Sequence, residues 1–368
     1  MPLTTALGNS YDSGDFPEMF EKALKVADYE NFAERRKTSN NAGLLCGIGI
    51  GCYLENAGAF PEESARISFL DDHGISVSIG AGSTGQGHQT VFRELVADRL
   101  GVSPSVVTIS SGDSNRDISG FGAVASRTAM MVGGAIANAT DAVIAKGSGI
   151  AALLLQSDLA VIEYRSGAFH NKDSKQSLTL FEVAARARRL AQQRVIAENL
   201  DTTTSVNAPA SFPNGCHVAE VEIDPETGAI SIASYIGVDD CGKVLNPMIV
   251  EGQFHGGVVQ GLGQALCEAV IYDPDSGQLN SGSFMDYSIL RASSIPHMTI
   301  VHHEVICTTN PLGVKGVGES GTTAAPCAIM NAIANAMPTD ASALLEMPAT
   351  PDRVWRALQL NRQPGKAP

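Results

Sequence analysis

Four glycine-rich loops, each leading into a stretch of helical periodicity, constrain this chain more than any other feature. Gly85-Gln86-Gly87-His88 opens one helix, and Gly120-Phe121-Gly122 precedes Ala125-Ser126-Arg127-Thr128 at the start of another. Gly252-Gln253 sits near a third helix start, and Gly316-Val317-Gly318-Glu319-Ser320-Gly321 opens the last main helix. A helix N-terminus carries unbonded backbone N–H groups and the positive end of the helix dipole. Several such ends in one chain suit a phosphate-bearing or polyoxo ligand. Glycine permits the tight turns and close backbone approach that such loops need, and the chain has 37 of them in 368 residues.

The last loop formally matches the dinucleotide fingerprint G-x-G-x-x-G. It follows Asn310-Pro311-Leu312 near the end of the chain, and no later strand ends in an acidic residue at the expected spacing. A nucleotide-binding dehydrogenase is therefore the weakest reading. The formal charge of −14 argues against a nucleic-acid partner and against anchoring on an anionic membrane. The most apolar stretch, Met130 to Leu155, carries Asn138, Asp141 and Lys146 and reads as a buried helix rather than a span. The N-terminus lacks the basic and apolar regions of a signal peptide. Seven scattered cysteines without a C-x-x-C pair suggest neither iron–sulfur nor zinc binding in this chain. Reduced thiols in a cytoplasmic protein are expected.

A helix is expected after Asp15, with Pro17 in its first turn. A hairpin runs Ala65–Leu70 and Ile75–Ile79, and a helix covers about Gln89 to Leu100. A basic helix is expected over roughly Leu178 to Ala197. The second half repeats this order, with a hairpin over Val218–Ile223 and Ile230–Ile236, then a helix holding Gln253 and His255. Hairpins and helices without regular βαβ units argue for an α+β fold of two mixed lobes. The expected division is a helical lead-in at 1–40, a first lobe at 41–210 and a second lobe at 211–368.

Each polar residue also has an ordinary reading. Glu319 suits a surface position favoured by a helix dipole. Gln86 and Gln253 suit a turn and a helix face. Asp113, Asp117, Asp239 and Asp240 suit loops where carboxylates bond local backbone. His88 and His255 suit satisfied core or surface positions. Composition and spacing alone give a glycine-rich α+β protein that binds an anionic ligand.

Taken together and in order, the loops resemble the molybdenum hydroxylase (xanthine oxidase) family, especially aerobic carbon-monoxide-dehydrogenase-like large subunits. The similarity runs through Tyr11-Asp12-Ser13-Gly14-Asp15, Gly85-Gln86-Gly87-His88, Gly112-Asp113, Ala125-Ser126-Arg127 and Gly133-Gly134-Ala135. It continues through Asp239-Asp240-Cys241-Gly242, Gly252-Gln253, Phe284-Met285-Asp286-Tyr287 and Gly313-Val314-Lys315-Gly316-Val317-Gly318-Glu319. Asn115 stands where relatives often carry an aspartate.

The resemblance implies the C-terminal half of a subunit about twice this length. It implies two lobes of the second molybdenum-cofactor-binding domain, with Glu319 as catalytic base. It assigns Gly85, Gln86, Gly87, Ala125, Ser126, Arg127, Thr128, Gln253 and Gly318 to the cofactor, a molybdenum–molybdopterin dinucleotide of the cytosine form. None of these residues is implied to ligate the metal. The reaction implied is oxidation of an electron-poor carbon, in an N-heterocycle or an aldehyde, with oxygen from water. The implied partners are a chain carrying the missing N-terminal half, an iron–sulfur subunit and an FAD subunit. The alternative is a non-catalytic cofactor-binding or assembly module, or a truncated fragment that needs the missing N-terminal half.

Overall fold

The computed structural model describes residues 1–58, 62–113, 115 and 118–361. They form two units that interleave along the chain. Unit 1 comprises Met1–Asn56, Phe212–Ile306 and the stretch from Val317 onward; unit 2 comprises Ala57–Ser211 and Cys307–Gly316. The stretch expected as a separate lead-in, and the strand after it, therefore belong with unit 1. Pairing of a strand across a long insertion outweighs proximity in sequence here.

Unit 1 opens with the short pair β1 (Leu3–Thr4) and β2 (Ser10–Tyr11). Helix α1 (Phe16–Val26) is capped by Asp15, whose Oδ1 accepts the Glu18 N–H at 3.2 Å, and has Pro17 in its first turn. Helix α2 (Phe32–Asn41) and strand β3 (Leu45–Leu54) follow.

Unit 2 then begins with β4 (Glu63–Phe69), β5 (Ile75–Ile79), α3 (His88–Leu100), β6 (Val107–Ser111) and α4 (Thr128–Leu154). A small antiparallel sheet of β7 (Ile162–Arg165), β8 (Ala168–Asn171) and β9 (Ser177–Thr179) leads into α5 (Leu180–Gln192) and β10 (Thr202–Val206). The basic helix starts at Leu180, where Thr179 and Glu182 form a reciprocal capping box, and ends at Gln192, five residues before the expected Ala197.

Unit 1 resumes with β11 (Asn214–Ile223), β12 (Ile230–Asp240), α6 (Pro247–Leu266) and β13 (Met298–His302). After the unit 2 segment at 307–316 come α7 (Ser320–Ala336), α8 (Thr339–Ser342) and α9 (Pro351–Asn361).

The two main sheets share one topology. Their orders are β3-β11-β12-β13 and β10-β4-β5-β6. Each contains a hairpin, a helical crossover to a parallel neighbour and one further antiparallel strand. The pairs β5–β6 and β12–β13, joined through α3 and α6, are βαβ units that the sequence pattern did not reveal. They are short and sit within mixed sheets, so the class is α+β.

Helix α4 packs on β4 and β10 as the core helix of unit 2. By length and composition alone it could cross a membrane, yet most of it is buried. Asn138 and Asp141 lie on its exposed side, and Asp141 pairs with Arg99 at 2.6 Å.

In unit 1, α7 lies on β3 at backbone distance. A Cβ added at Gly47, Gly49 or Gly51 would come within 2.1, 2.1 or 2.8 Å of α7 backbone atoms. Those atoms belong to Ala332, Ala332 and Ala328 respectively. Two strand residues advance about 6.6 Å and four helix residues about 6.0 Å. Alternate glycines on the strand therefore keep step with alanines spaced four apart on the helix.

Candidate functional site

In unit 2, the chain leaves β5 and turns through Gly85 (φ +112°) and Gly87 (φ +77°), which precedes α3. Both backbones are left-handed, which restricts the positions to glycine. Gln86 is half-buried between them, and its Oε1 accepts the Thr84 N–H at 2.6 Å and the Thr84 hydroxyl at 3.3 Å. The carboxamide oxygen thus closes the turn, and the Nε2 donor is the end available to a ligand. Next to it, His88 stacks on Phe92 with ring centroids 5.5 Å apart. Its Nδ1 is buried with no partner, and burial lowers its pKa.

The loop before α4 is held from beneath. Gly120 crosses Gly80 so closely that a Cβ on Gly80 would lie 2.8 Å from the Gly120 Cα. Gly122, Ala125 and Ser126 all have positive φ (+112°, +48° and +52°). Left-handed backbone at non-glycine residues persists only where the surroundings enforce it. Here Glu63, fully buried at the start of β4, enforces it. Its Oε1 accepts the N–H groups of Phe121 at 2.8 Å and Gly122 at 2.9 Å, and pairs with the Arg127 guanidinium. That guanidinium also sits 5.5 Å over the Phe121 ring. The Ala125 carbonyl accepts the Gly58 N–H at 3.0 Å. A Cβ on Gly316 would lie 2.6 Å from the Ser126 carbonyl oxygen. Arg127 is 0% exposed, so its side chain braces the loop while the backbone around Ala125, Ser126 and Thr128 forms the helix entrance.

Asp113 behaves as a loop residue, accepting the Asn115 N–H at 3.0 Å; Asp117 lies outside the described residues. Lys315 is 2% exposed, next to a turn in which Asn310 donates to the Val314 carbonyl at 2.8 Å.

In unit 1, Glu319 precedes the first turn of α7 with φ −109° and ψ −2°, and is exposed together with Gly318. Its carbonyl accepts the N–H and hydroxyl of Thr323 at 3.0 and 2.9 Å. Two residues on, Gly321 packs into α6, where an added Cβ would come within 2.5 Å of the Val258 nitrogen and 2.6 Å of the Phe254 carbonyl oxygen. The Thr322 hydroxyl donates to the Gly257 carbonyl at 2.7 Å. Unit 1 therefore brings the Glu319 turn against the turn of α6 that follows half-buried Gln253.

Under this contact lies a polar network that the sequence did not reveal. The Tyr53 hydroxyl donates to Asp239 at 2.8 Å, His217 Nε2 lies 3.0 Å from the same carboxylate, and His217 Nδ1 lies 2.8 Å from the Tyr235 hydroxyl. Gly215, paired with Tyr53 on one side and Asp239 on the other, leaves room for both, since a Cβ there would come within 2.3 Å of each. Burial raises the Tyr53 pKa well above the usual phenol value; the Asp239 charge adds to this and the Ser320 hydroxyl opposes it. Asp239 and Asp240, expected in a loop, end strand β12 and are buried. Asp240 does serve backbone, accepting the Gly242 N–H at 2.8 Å.

The helix starts differ in a telling way. Side chains of Asp15, Thr179 and Asn246 cap α1, α5 and α6. No side chain caps α3, α4 or α7, the helices preceded by Gly87, Arg127 and Glu319. Helices α2 and α8 also lack a side-chain cap, but neither follows a glycine-rich loop. Uncapped first turns keep N–H donors for a ligand, and the open space over Gly85 and Gly122 leaves backbone accessible; Gly252, expected in a glycine-rich loop, lies inside α6. Neutral amide donors and little side-chain bulk fit a pterin bearing phosphates.

Comparison with known proteins agrees. The chain is 32% identical to the nicotine 6-hydroxylase large subunit of Paenarthrobacter nicotinovorans, over 97% of this chain and 46% of that protein. It superposes on CO dehydrogenase from Oligotropha carboxidovorans with a TM-score of 0.89 and 28% identity, covering 98% of this chain and 47% of that one. For quinoline 2-oxidoreductase from Pseudomonas putida 86 the TM-score is 0.85 and the identity 31%, over 97% of this chain and 47% of that one. The chain spans about half the length of the relatives it matches. Residues 22–296 match the family model for the molybdopterin cofactor-binding domain, and the chain belongs to that family.

Proposed function

We propose that this chain is the C-terminal part of a molybdenum hydroxylase large subunit, with Glu319 as its catalytic base. The observation that carries this reading is that α3, α4 and α7, the helices behind the glycine-rich loops, start without a side-chain cap. In unit 2, backbone at Gly85 and Gly87, the Gln86 amide and the helix entrance at Ala125, Ser126, Arg127 and Thr128 would hold the pterin and its phosphates. In unit 1, Gln253 and Gly318 would do so beside Glu319. The cytosine dinucleotide is the form proposed.

When bound, the molybdenum–pterin group supplies the two-electron oxidising centre. Glu319 takes up the proton released as water-derived oxygen is added to an electron-poor carbon. Its exposure and its rigid seat on α7 suit a general base that must reach a reacting group.

The names of two relatives, a nicotine hydroxylase and a quinoline oxidoreductase, favour a nitrogen heterocycle as substrate; an aldehyde is the second class. Electrons would leave through an iron–sulfur subunit and an FAD subunit, in the cytoplasm, where free thiols such as those here stay reduced. Phe284 and Met285, 85% and 93% exposed, offer an apolar surface for a completing chain. The second reading, a non-catalytic cofactor-binding or assembly module, is favoured by the half-length match.

Glu319→Gln in the assembled enzyme is expected to lower turnover by about 10²–10⁴-fold while molybdenum content stays unchanged. Near-normal turnover would remove Glu319 from the role of base.

A further inference from the structure

Strands β3 and β11 place two cysteines directly opposite each other, with Cys52 paired to Cys216 in the antiparallel register. We propose that Cys52 and Cys216 form an oxidisable dithiol, a modification site that closes to an intramolecular disulfide on reaction with a peroxide.

Directly opposed residues in an antiparallel pair have Cα atoms about 4.5–5.5 Å apart, inside the range of about 4.4–6.8 Å that a disulfide spans. No backbone rearrangement is needed to bring the two sulfurs together. The pair is asymmetric in the way such chemistry requires, with Cys52 exposed and Cys216 fully buried. Cys52 meets the oxidant and Cys216 resolves the product. Their titration follows the same asymmetry. The hydrogen bond from Cys216 brings Cys52 down to about 7, against the effect of burial and with help from nearby His217. The Cys216 thiol is pushed up, first by that hydrogen bond and then by burial.

The chemistry balances. The Cys52 thiolate attacks one peroxide oxygen, the O–O bond breaks, and hydroxide leaves and takes up a proton as water. Cys52 becomes a sulfenic acid. The Cys216 sulfur then attacks the Cys52 sulfur, its proton leaves with the displaced hydroxide as a second water, and the S–S bond forms. Two thiols lose two electrons and one hydrogen peroxide gains them.

The remaining cysteines provide controls. Cys46, Cys241 and Cys307 are buried, Cys267 is half-buried, and Cys327 is exposed on helix α7. The full chain is titrated with hydrogen peroxide, alkylated and mapped by mass spectrometry without reduction. The expected result is a peptide cross-linked between Cys52 and Cys216, formed at lower peroxide than any modification of Cys327. In Cys216→Ser, dimedone is expected to label Cys52; in Cys52→Ser, Cys216 is expected to stay a thiol. Oxidation of Cys327 while Cys52 and Cys216 remain thiols in the wild type would overturn the proposal. So would a stable sulfenic acid at Cys52 with Cys216 intact.

Discussion

Arg127 shows how residue type can mislead about what a side chain touches. An arginine beside a glycine-rich helix entrance reads as a phosphate ligand. In the fold it is enclosed with Glu63 and spends its charge on the loop that a ligand would meet. Breaking such a buried pair from one side leaves an unpaired charge, which costs about 3–5 kcal/mol. Arg127→Met is therefore expected to lower unfolding stability by that amount, read from urea melts of the unliganded chain. A loss under about 1 kcal/mol would return the guanidinium to a ligand-binding role. The placement of Glu319 at a helix start and of Gln253 on a helix was legible in sequence because glycine and helix-start signals are local; the roles proposed for them come from the resemblance of the whole set of loops. The Tyr53–Asp239 bond joins residues 186 positions apart, and no local pattern marks either end.

At the scale of elements, the contact between β3 and α7 depends on what is missing from the strand. Gly47, Gly49 and Gly51 alternate visibly in sequence, but the alanines they admit lie on a helix near the other end of the chain. That separation is why the hairpins and caps could be read in advance and this packing could not. A methyl group at Gly49 must displace helix backbone. Gly49→Ala is expected to destabilise by about 1–3 kcal/mol or more, as overpacked cores do. Gly149→Ala, at an exposed position of α4 where an added Cβ meets nothing within 4 Å, is expected to stabilise by up to about 1 kcal/mol. Thermal midpoints that move in the same direction would contradict the packing account.

For the whole molecule, the half-length match sets the clearest expectation. The chain expressed alone is expected to bind far less than one molybdenum per chain. Co-expression with a chain resembling the missing half is expected to raise this toward one, as read by elemental analysis of the purified protein. Stoichiometric metal on the isolated chain would contradict a divided site, and full metal without turnover in the completed assembly would favour the module reading. The chain passes between its two units four times, which is why the expected boundary near residue 40 differs from the one observed. That threading also governs synthesis. Strand β3 leaves the ribosome well before β11, its neighbour in the sheet, because Ala57–Ser211 must be translated between them. At about 5–20 residues per second, β3 waits on the order of ten to thirty seconds. During that time α2 packs against it, but its edge lacks β11 and its glycine-lined face lacks α7, so the nascent chain carries an unpaired strand edge, a template for aggregation, while unit 2 is folding.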